Sequence, residues 1–474
     1  MREAGLAEIS SLADSLRDED LLIAVAQPPP ATNRQLAIGI AGPGFEANLT
    51  SGSTRTDGYV LSTDLAPTIL DRFGLAVPSE MSGEPIRAEG EVDPEAVEAR
   101  GDRMEVIGHR RGPVIGYSLL AWLLALGVAA VLGGAAVRRA AVRAIGLAIV
   151  YLPLVLLAAA AIEPGETAEA GLAMVCAPAL AALTLLALRG YRALAVAAAA
   201  TALAYAIDVV AGSPLTALSL LGPNPGLGAR FYGIGNELEA LLGVLVVAGT
   251  GAALAGFAPR LAAPRAAATF LVVGLLAALV FAAGRFGADV GAAIVFPVAA
   301  AVAAAATAAR RRRAALLVIA APVGAVALLA LIDLVSGANA HLTRSVLDAS
   351  GMGELSDVAQ RRLQLSARSF GRPVLLFFLP VVALVAALAV LRRDRIRAWV
   401  AGVPAMRAGL LGGVAATAVG TLANDSGALL LEVGVAYLLV FAGYAWAESA
   451  PAPFADNKLP SRDGAGAPGT DRPV

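Results

Sequence analysis

Leu221-Gly-Pro-Asn-Pro-Gly-Leu-Gly-Ala-Arg-Phe-Tyr-Gly-Ile-Gly-Asn-Glu-Leu-Glu239 runs without interruption into the apolar sequence that ends near Phe257. It is rich in Gly and Pro, carries one arginine and two carboxylates, and exposes backbone polar groups at the mouth of a membrane-length run. Inside a bilayer no water satisfies such groups, so the segment is either buried in protein or lines a wet cavity. Two shorter stretches repeat the design. Arg285-Phe-Gly-Ala-Asp-Val-Gly291 opens the run to about Ala308, and Asn424-Asp-Ser-Gly427 opens the run to about Trp446. Gly, Asn and Asp are favoured at ordinary helix starts. Three acid-bearing turns heading three apolar runs point further, to a shared site.

Composition sets the class. Of 474 residues 58% are hydrophobic and only 15% charged, and the mean hydropathy is +0.73. A soluble domain does not need that much apolar surface, so the chain reads as a polytopic α-helical membrane protein. A net charge of −1 argues against a nucleic-acid partner. The lone Cys176 excludes disulfides within the chain, and His109 with His341 are too few for a histidine-rich metal centre. No metal ligand set or cofactor motif emerges. The first twenty residues are polar and mixed in charge, unlike a signal peptide. Arg dominates over Lys and Ala is abundant, which suits a GC-rich bacterial genome and hence a bacterial plasma membrane.

From Val114 onward about eleven apolar runs approach the ~20 residues that one span requires. They cover 114–137, 143–162, 169–188, 191–211, 235–257, 266–283, 287–308, 314–335, 373–391, 405–423 and 427–447. Arginines cluster in alternate connections: Arg138, Arg139 and Arg143; Arg189 and Arg192; Arg260 and Arg265; Arg310–Arg313; and Arg392, Arg393, Arg395 and Arg397. The positive-inside rule places these loops in the cytoplasm. The N-terminal region and the three polar turns then lie outside, and the C-terminus inside, with a disordered tail expected from Ser449. Arg110 and Arg111 run against this pattern, since they precede the first span on the outer side.

On this topology Asp208, Glu237, Glu239, Asp289, Asp333, Asp425 and Glu432 all lie at or near outer helix ends. Carboxylates in a membrane are costly and default to function, although Asp208 and Asp333 also suit simple snorkelling. Glu432 follows Asp425 by seven residues, on the same helical face and ~10 Å deeper. Helix starts carry partial positive charge and free N–H groups, which suit an anion beside Arg230 and Arg285. Arg285 and Asp289, one turn apart, also suit a plain ion pair. Glu237 and Glu239 stand roughly 200° apart on a helix, so one of them faces a common pocket; Glu237, directly after the Gly233–Asn236 turn, is the choice. Leu355–Phe370, with Arg361, Arg362 and Arg368, reads as an interfacial helix, and His341 as a loop residue. The expected site therefore has Glu237, Asp289 and Asp425 as catalytic carboxylates. Arg230, Asn236, Arg285, Asn424 and Glu432 are expected to bind substrate.

Residues 1–113 are soluble in character. Ala4–Leu16 reads as an amphipathic helix, and Leu21–Ala26, Gln35–Ile40 and Gly58–Leu61 as strands. Thr63–Phe73 reads as a helix closed by Gly74. The stretch Ser62-Thr-Asp-Leu-Ala-Pro-Thr-Ile-Leu-Asp-Arg-Phe-Gly-Leu-Ala-Val-Pro-Ser-Glu-Met-Ser-Gly-Glu-Pro-Ile86 resembles the closing segment of alkaline phosphatase and sulfatase superfamily domains. The resemblance covers about a fifth of the chain and implies a small, incomplete α/β extracytoplasmic domain. It does not bring an activity. The Asp-His pair that the superfamily would place after a strand such as Leu21–Ala26 is replaced by Gln27-Pro28-Pro29. The family's nucleophile and first ligands would lie before Met1, so the region is expected to be a remnant or a truncated domain that binds no catalytic metal.

Carboxylates, arginines and helix starts on one face suit a lipid-linked anionic substrate. The leading expectation is an extracytoplasmic transferase or ligase acting on a polyprenyl-phosphate or phospholipid carrier in cell-envelope assembly. A transporter or flippase is the first alternative, because Gly-interrupted helices with half-buried charges are also its signature. A non-catalytic membrane scaffold with a degenerate phosphatase-like domain is the second.

Overall fold

The computed structural model describes residues 5–26, 35–78, 81–227, 230–307, 363–371 and 373–449, with residue 360 and short pieces between 320 and 328. The expected span 314–335 falls mostly outside these residues, and His341, Arg361, Arg362 and the tail beyond Ser449 fall outside them entirely.

The N-terminal region is small and irregular. Helix α1 (Leu6–Asp14) leads to strands β1 (Leu22–Val25) and β2 (Ile38–Ala41), which pair antiparallel with Leu22 opposite Ala41. Strands β3 (Asn48–Thr50) and β4 (Arg87–Glu89) form a second antiparallel pair, with Asn48 opposite Glu89. Helix α2 (Leu65–Arg72) lies between them in sequence, entered through a 3-10 turn at Ser62–Asp64. The expected strand Gly58–Leu61 is irregular instead. Its backbone is diverted into local bonds, with the Gly58 N–H donating to the Leu49 carbonyl and the Thr54 hydroxyl to the Tyr59 carbonyl. The β structure is thus two separate two-stranded pairs, not one wound sheet.

Asp64 organises this region. Fully buried, its carboxylate accepts the hydroxyls of Ser51 (2.7 Å) and Ser53 (2.6 Å) and the N–H groups of Leu61 (2.8 Å) and Glu84 (3.0 Å). Thr68 donates to the Asp64 carbonyl and accepts from the Ile86 N–H. The Asp and Thr of the Asp-Leu-Ala-Pro-Thr motif therefore tie a loop, a helix and a strand together. A buried carboxylate is tolerable because every face of it meets a donor.

Helix α3 (Pro94–Leu132) links the two parts of the molecule without a break and passes straight through Pro113. Asp93 caps it, accepting the Ala96 N–H at 3.0 Å. At 1.5 Å per residue it is ~58 Å long, about twice a bilayer core, so its polar first half projects beyond the apolar bundle. Then follow α4 (Ala135–Ala160), α5 (Glu166–Ala187), α6 (Tyr191–Val210), α7 (Asn236–Phe257), α8 (Ala263–Ala282) and α9 (Ala292–Thr307). The last helices among the described residues are α10 (Pro373–Leu391), the short polar α11 (Arg393–Trp399), α12 (Pro404–Ala423) and α13 (Gly427–Glu448). Among the described residues eight of these helices are long and apolar enough to cross a membrane; α9, with 16 residues, is shorter.

Helix α7 is the axis of the bundle. Every residue from Leu238 to Ala252 is buried, as expected of a helix that is apolar all round. It packs against α6, α12, α13, α8 and α9. Its contact with α12 depends on small residues. A Cβ on Gly412 would come within 2.4 Å of Val247 Cγ1, and one on Gly251 within 2.7 Å of the Ala405 carbonyl oxygen. Lipid-like surroundings offer no hydrophobic drive for helix association, so close backbone approach at glycine supplies it through dispersion. The bundle has two unlike ends: a polar-turn end, where α7, α9 and α13 begin, and an arginine end, where α3 stops and α4 begins.

Candidate functional site at the polar-turn end

The three polar turns meet. The Ile234 N–H donates to the Gly287 carbonyl at 3.0 Å, joining the 221–239 stretch to the 283–291 turn. Gly233 makes this approach possible. Its φ is +78°, and a Cβ there would lie 2.1 Å from the Gly287 oxygen. Side chains make the second junction. Asn236, at the start of α7, donates to Asp425 at 3.1 Å, and Asn424 donates to Glu239. The two bonds form layers. Asp425 is exposed, whereas Asn424 and Glu239 are buried. Glu239 also faces the head of α9: a Cβ on Gly291 would sit 2.5 Å from Glu239 Oε1. Its carboxylate thus lies where the N-terminal end of a helix favours negative charge.

Of the two glutamates, Glu239 and not Glu237 occupies the inner position. Glu237 turns to the other side of α7 and pairs with Arg111 of α3 at 2.6 Å, while Arg111 also donates to the Gly222 carbonyl. The helical offset separates the two side chains as expected; their assignment to sides depends on what each meets. The Asn424 amide is within reach of Glu239, and the Arg111 guanidinium is within reach of Glu237.

The remaining candidates are distributed around this junction. Asp289 is buried and accepts the Gly291 N–H at 2.9 Å. Its neighbour Ala288 has φ +51°, a conformation uncommon for a residue with a Cβ, held by the Ala288 N–H bond to the Ala283 carbonyl. Arg230 is half-buried and donates to the Ile234 carbonyl at 2.9 Å, curling the loop around itself. The Arg285 guanidinium is exposed and lies 5.2 Å from the Phe286 ring. Glu432 stands apart, part-buried in α13, and its buried Oε1 has no hydrogen-bond partner among the described residues. Asp208 is structural: it accepts the Leu215 and Thr216 N–H groups and closes the loop after α6.

The N-terminal region covers this end. Arg55 donates to the carbonyls of Arg285 (2.8 Å) and Gly284 (3.1 Å) and stacks 3.9 Å above the Tyr232 ring. Tyr59 packs against Phe231, and burial raises its phenol above the ordinary range. Residues 363–369 close the other side, where Ser366 donates to the Thr421 carbonyl and Ser369 accepts the Ala428 N–H.

Sequence reading missed Arg103, Arg110 and Glu169. Arg103 of α3 makes a two-pronged pair with Glu169 of α5, at 2.6 and 3.1 Å, with both side chains almost wholly buried. Arg110 approaches the same carboxylate at 3.5 Å and donates to the Pro164 carbonyl. The signal was present as the arginines that broke the charge rule. Arg110 and Arg111 belong at this end because carboxylates there engage them. Among the described residues no group of three or more His, Cys, Asp and Glu side chains is placed to hold a metal ion.

No family model, curated protein or solved structure matches this chain. Its fold is that of a multi-pass helical membrane protein. What distinguishes it is a layer of paired amides and carboxylates across three helix starts at one end of the bundle.

Proposed function

We propose that the polar-turn end is the site of an extracytoplasmic transferase or ligase whose substrate is a lipid-linked, phosphate-containing molecule of the cell envelope. In this reading the chain has about eleven spans and a cytoplasmic C-terminus, and residues 1–113 are a non-catalytic phosphatase-like remnant over the site. One observation carries the proposal: Asn236–Asp425 and Asn424–Glu239 tie the heads of α7 and α13 together in an exposed and a buried polar layer, the buried one reaching the head of α9. A lone carboxylate at a helix start is commonplace; cross-linked ones share a purpose. In this reading Asp425, in the exposed layer, acts as general base. Arg230 and Arg285, on the flanking turns, supply cations for a phosphate.

The test uses the full chain in nanodiscs with a photoreactive polyprenyl phosphate. Saturable crosslinking to the 221–239 and 283–291 segments, weakened at least tenfold by Arg230→Ala together with Arg285→Ala, is the expected result. Asp425→Asn should retain crosslinking but stop covalent turnover of a polyprenyl-linked sugar donor. Crosslinking confined to the arginine end would overturn the site. Movement of intact lipid between leaflets, with no bond made or broken, would overturn the chemistry in favour of a flippase.

A further inference from the structure

The arginine end carries a cleft of its own. A cleft of about 550 Å³ opens between the start of α4, the α5–α6 turn and the last residue of α13, lined by Arg143, Leu185, Leu188, Arg189 and Glu448 among others. Most neighbouring arginines are committed to helix ends. Arg138 donates to the Gly133 carbonyl, Arg192 to that of Gly256, and Arg139 to those of Ala447 and Ser449. Such bonds satisfy the free carbonyls that every helix C-terminus leaves. Arg189 is different: exposed in the cleft, it has no hydrogen bond or ion pair to another described residue. Across the cleft Arg143 is held by Glu448 at 3.2 Å. Tyr191, Tyr444 and Trp446 lie at the same level, with Arg139 5.4 Å from the Trp446 ring. Aromatic residues gathered at helix ends mark a membrane–water interface.

We propose that this cleft binds an anionic phospholipid. Arg189 takes the phosphate diester with Arg143 as second donor, and one acyl chain runs along Leu185 and Leu188. A basic pocket between helices at the level of the head groups has the charge and depth that such a lipid needs. Glu448 opposes the phosphate and competes for Arg143, so it sets the affinity and makes the site distinguishable from general surface charge.

Native mass spectrometry of the full chain, with phosphatidylglycerol titrated into a phosphatidylcholine background, reads the occupancy. Arg189→Ala should lower phosphatidylglycerol affinity about fivefold, as expected for the loss of one interfacial cation. Arg138→Ala removes an exposed arginine outside the cleft and should change nothing, whereas Glu448→Gln should raise affinity. Equal losses for Arg189→Ala and Arg138→Ala would reduce the effect to non-specific charge and overturn the proposal. So would weaker binding in Glu448→Gln with an unchanged melting temperature. Competition by glycerol phosphate or inorganic phosphate at the lipid's own concentration would assign the cleft to a soluble anion and overturn the lipid assignment.

Discussion

The principal ion pair of the polar-turn end, Arg103–Glu169, is buried, whereas that of the arginine end, Arg143–Glu448, is more exposed, and the neighbouring Arg138, Arg139 and Arg192 are answered by helix-end carbonyls. Arg103 and Glu169 are 3% and 0% exposed, whereas Arg143 and Glu448 retain 35% and 18%. The difference lies in water. An exposed arginine keeps its hydration and needs only a loose partner, so its pairing contributes little. A buried one has lost its hydration and needs a carboxylate in good geometry, or the fold bears an uncompensated charge. The buried pair therefore depends on close geometry far more than the exposed one does.

The sharpest way to break this comparison is Glu169→Ala. It strands Arg103 in a site from which water is excluded and should destabilise the protein by about 3–5 kcal/mol, measured as unfolding in mixed micelles. Glu448→Ala at the other end should cost less than about 1 kcal/mol. Similar losses at both ends would show that burial does not separate them.

Next in size is Asp64→Ala, which leaves two hydroxyls and two backbone N–H groups without their acceptor. A loss of about 3 kcal/mol is expected. It should be visible as accelerated proteolysis within residues 40–90 while the apolar bundle stays resistant. Cleavage unchanged from the parent chain would mean that Asp64 is not the hub that its contacts describe.

Arg111 and Glu237, each 23% exposed, stand between the extremes. A double-mutant cycle with Arg111→Ala and Glu237→Ala should give a coupling of about 1 kcal/mol, smaller in high salt. A coupling near zero would place this pair with the exposed contacts of the arginine end.

The smallest effect is a pH dependence. Burial raises the Tyr59 phenol, so the folded state holds its proton more tightly than the unfolded chain. The corresponding stability is present below the ordinary phenol pKa of about 10 and is lost as pH rises above it. Tyr59→Phe should flatten the alkaline limb of stability of the N-terminal region. An alkaline limb that is unchanged in Tyr59→Phe would assign the effect to other groups.

Much of the bundle was legible because a bilayer imposes length and hydropathy on each helix independently. The runs at 191–211, 235–257, 405–423 and 427–447 match α6, α7, α12 and α13 to within about two residues at each end. The first run differs at its start because α3 is one continuous helix from Pro94 through Pro113; the change from polar to apolar sequence falls inside the helix and is not a helix boundary. The strand at Gly58–Leu61 failed because local hydrogen bonds from Thr54 compete with pairing.

The three polar turns, their glycines and their acids could be read from the sequence, since each is a local departure from an apolar background. Which glutamate faces inward could not. Glu237 and Glu239 are chemically alike, and helical geometry requires only that they diverge. Asn424, 185 residues from Glu239, and Arg111, 126 residues from Glu237, decide the matter by where the fold delivers them. Arg110 and Arg111 contradicted the charge rule for the same reason. That rule counts charges along the chain, whereas the energy of a buried ion depends on a partner within a few ångströms, which only the tertiary structure supplies.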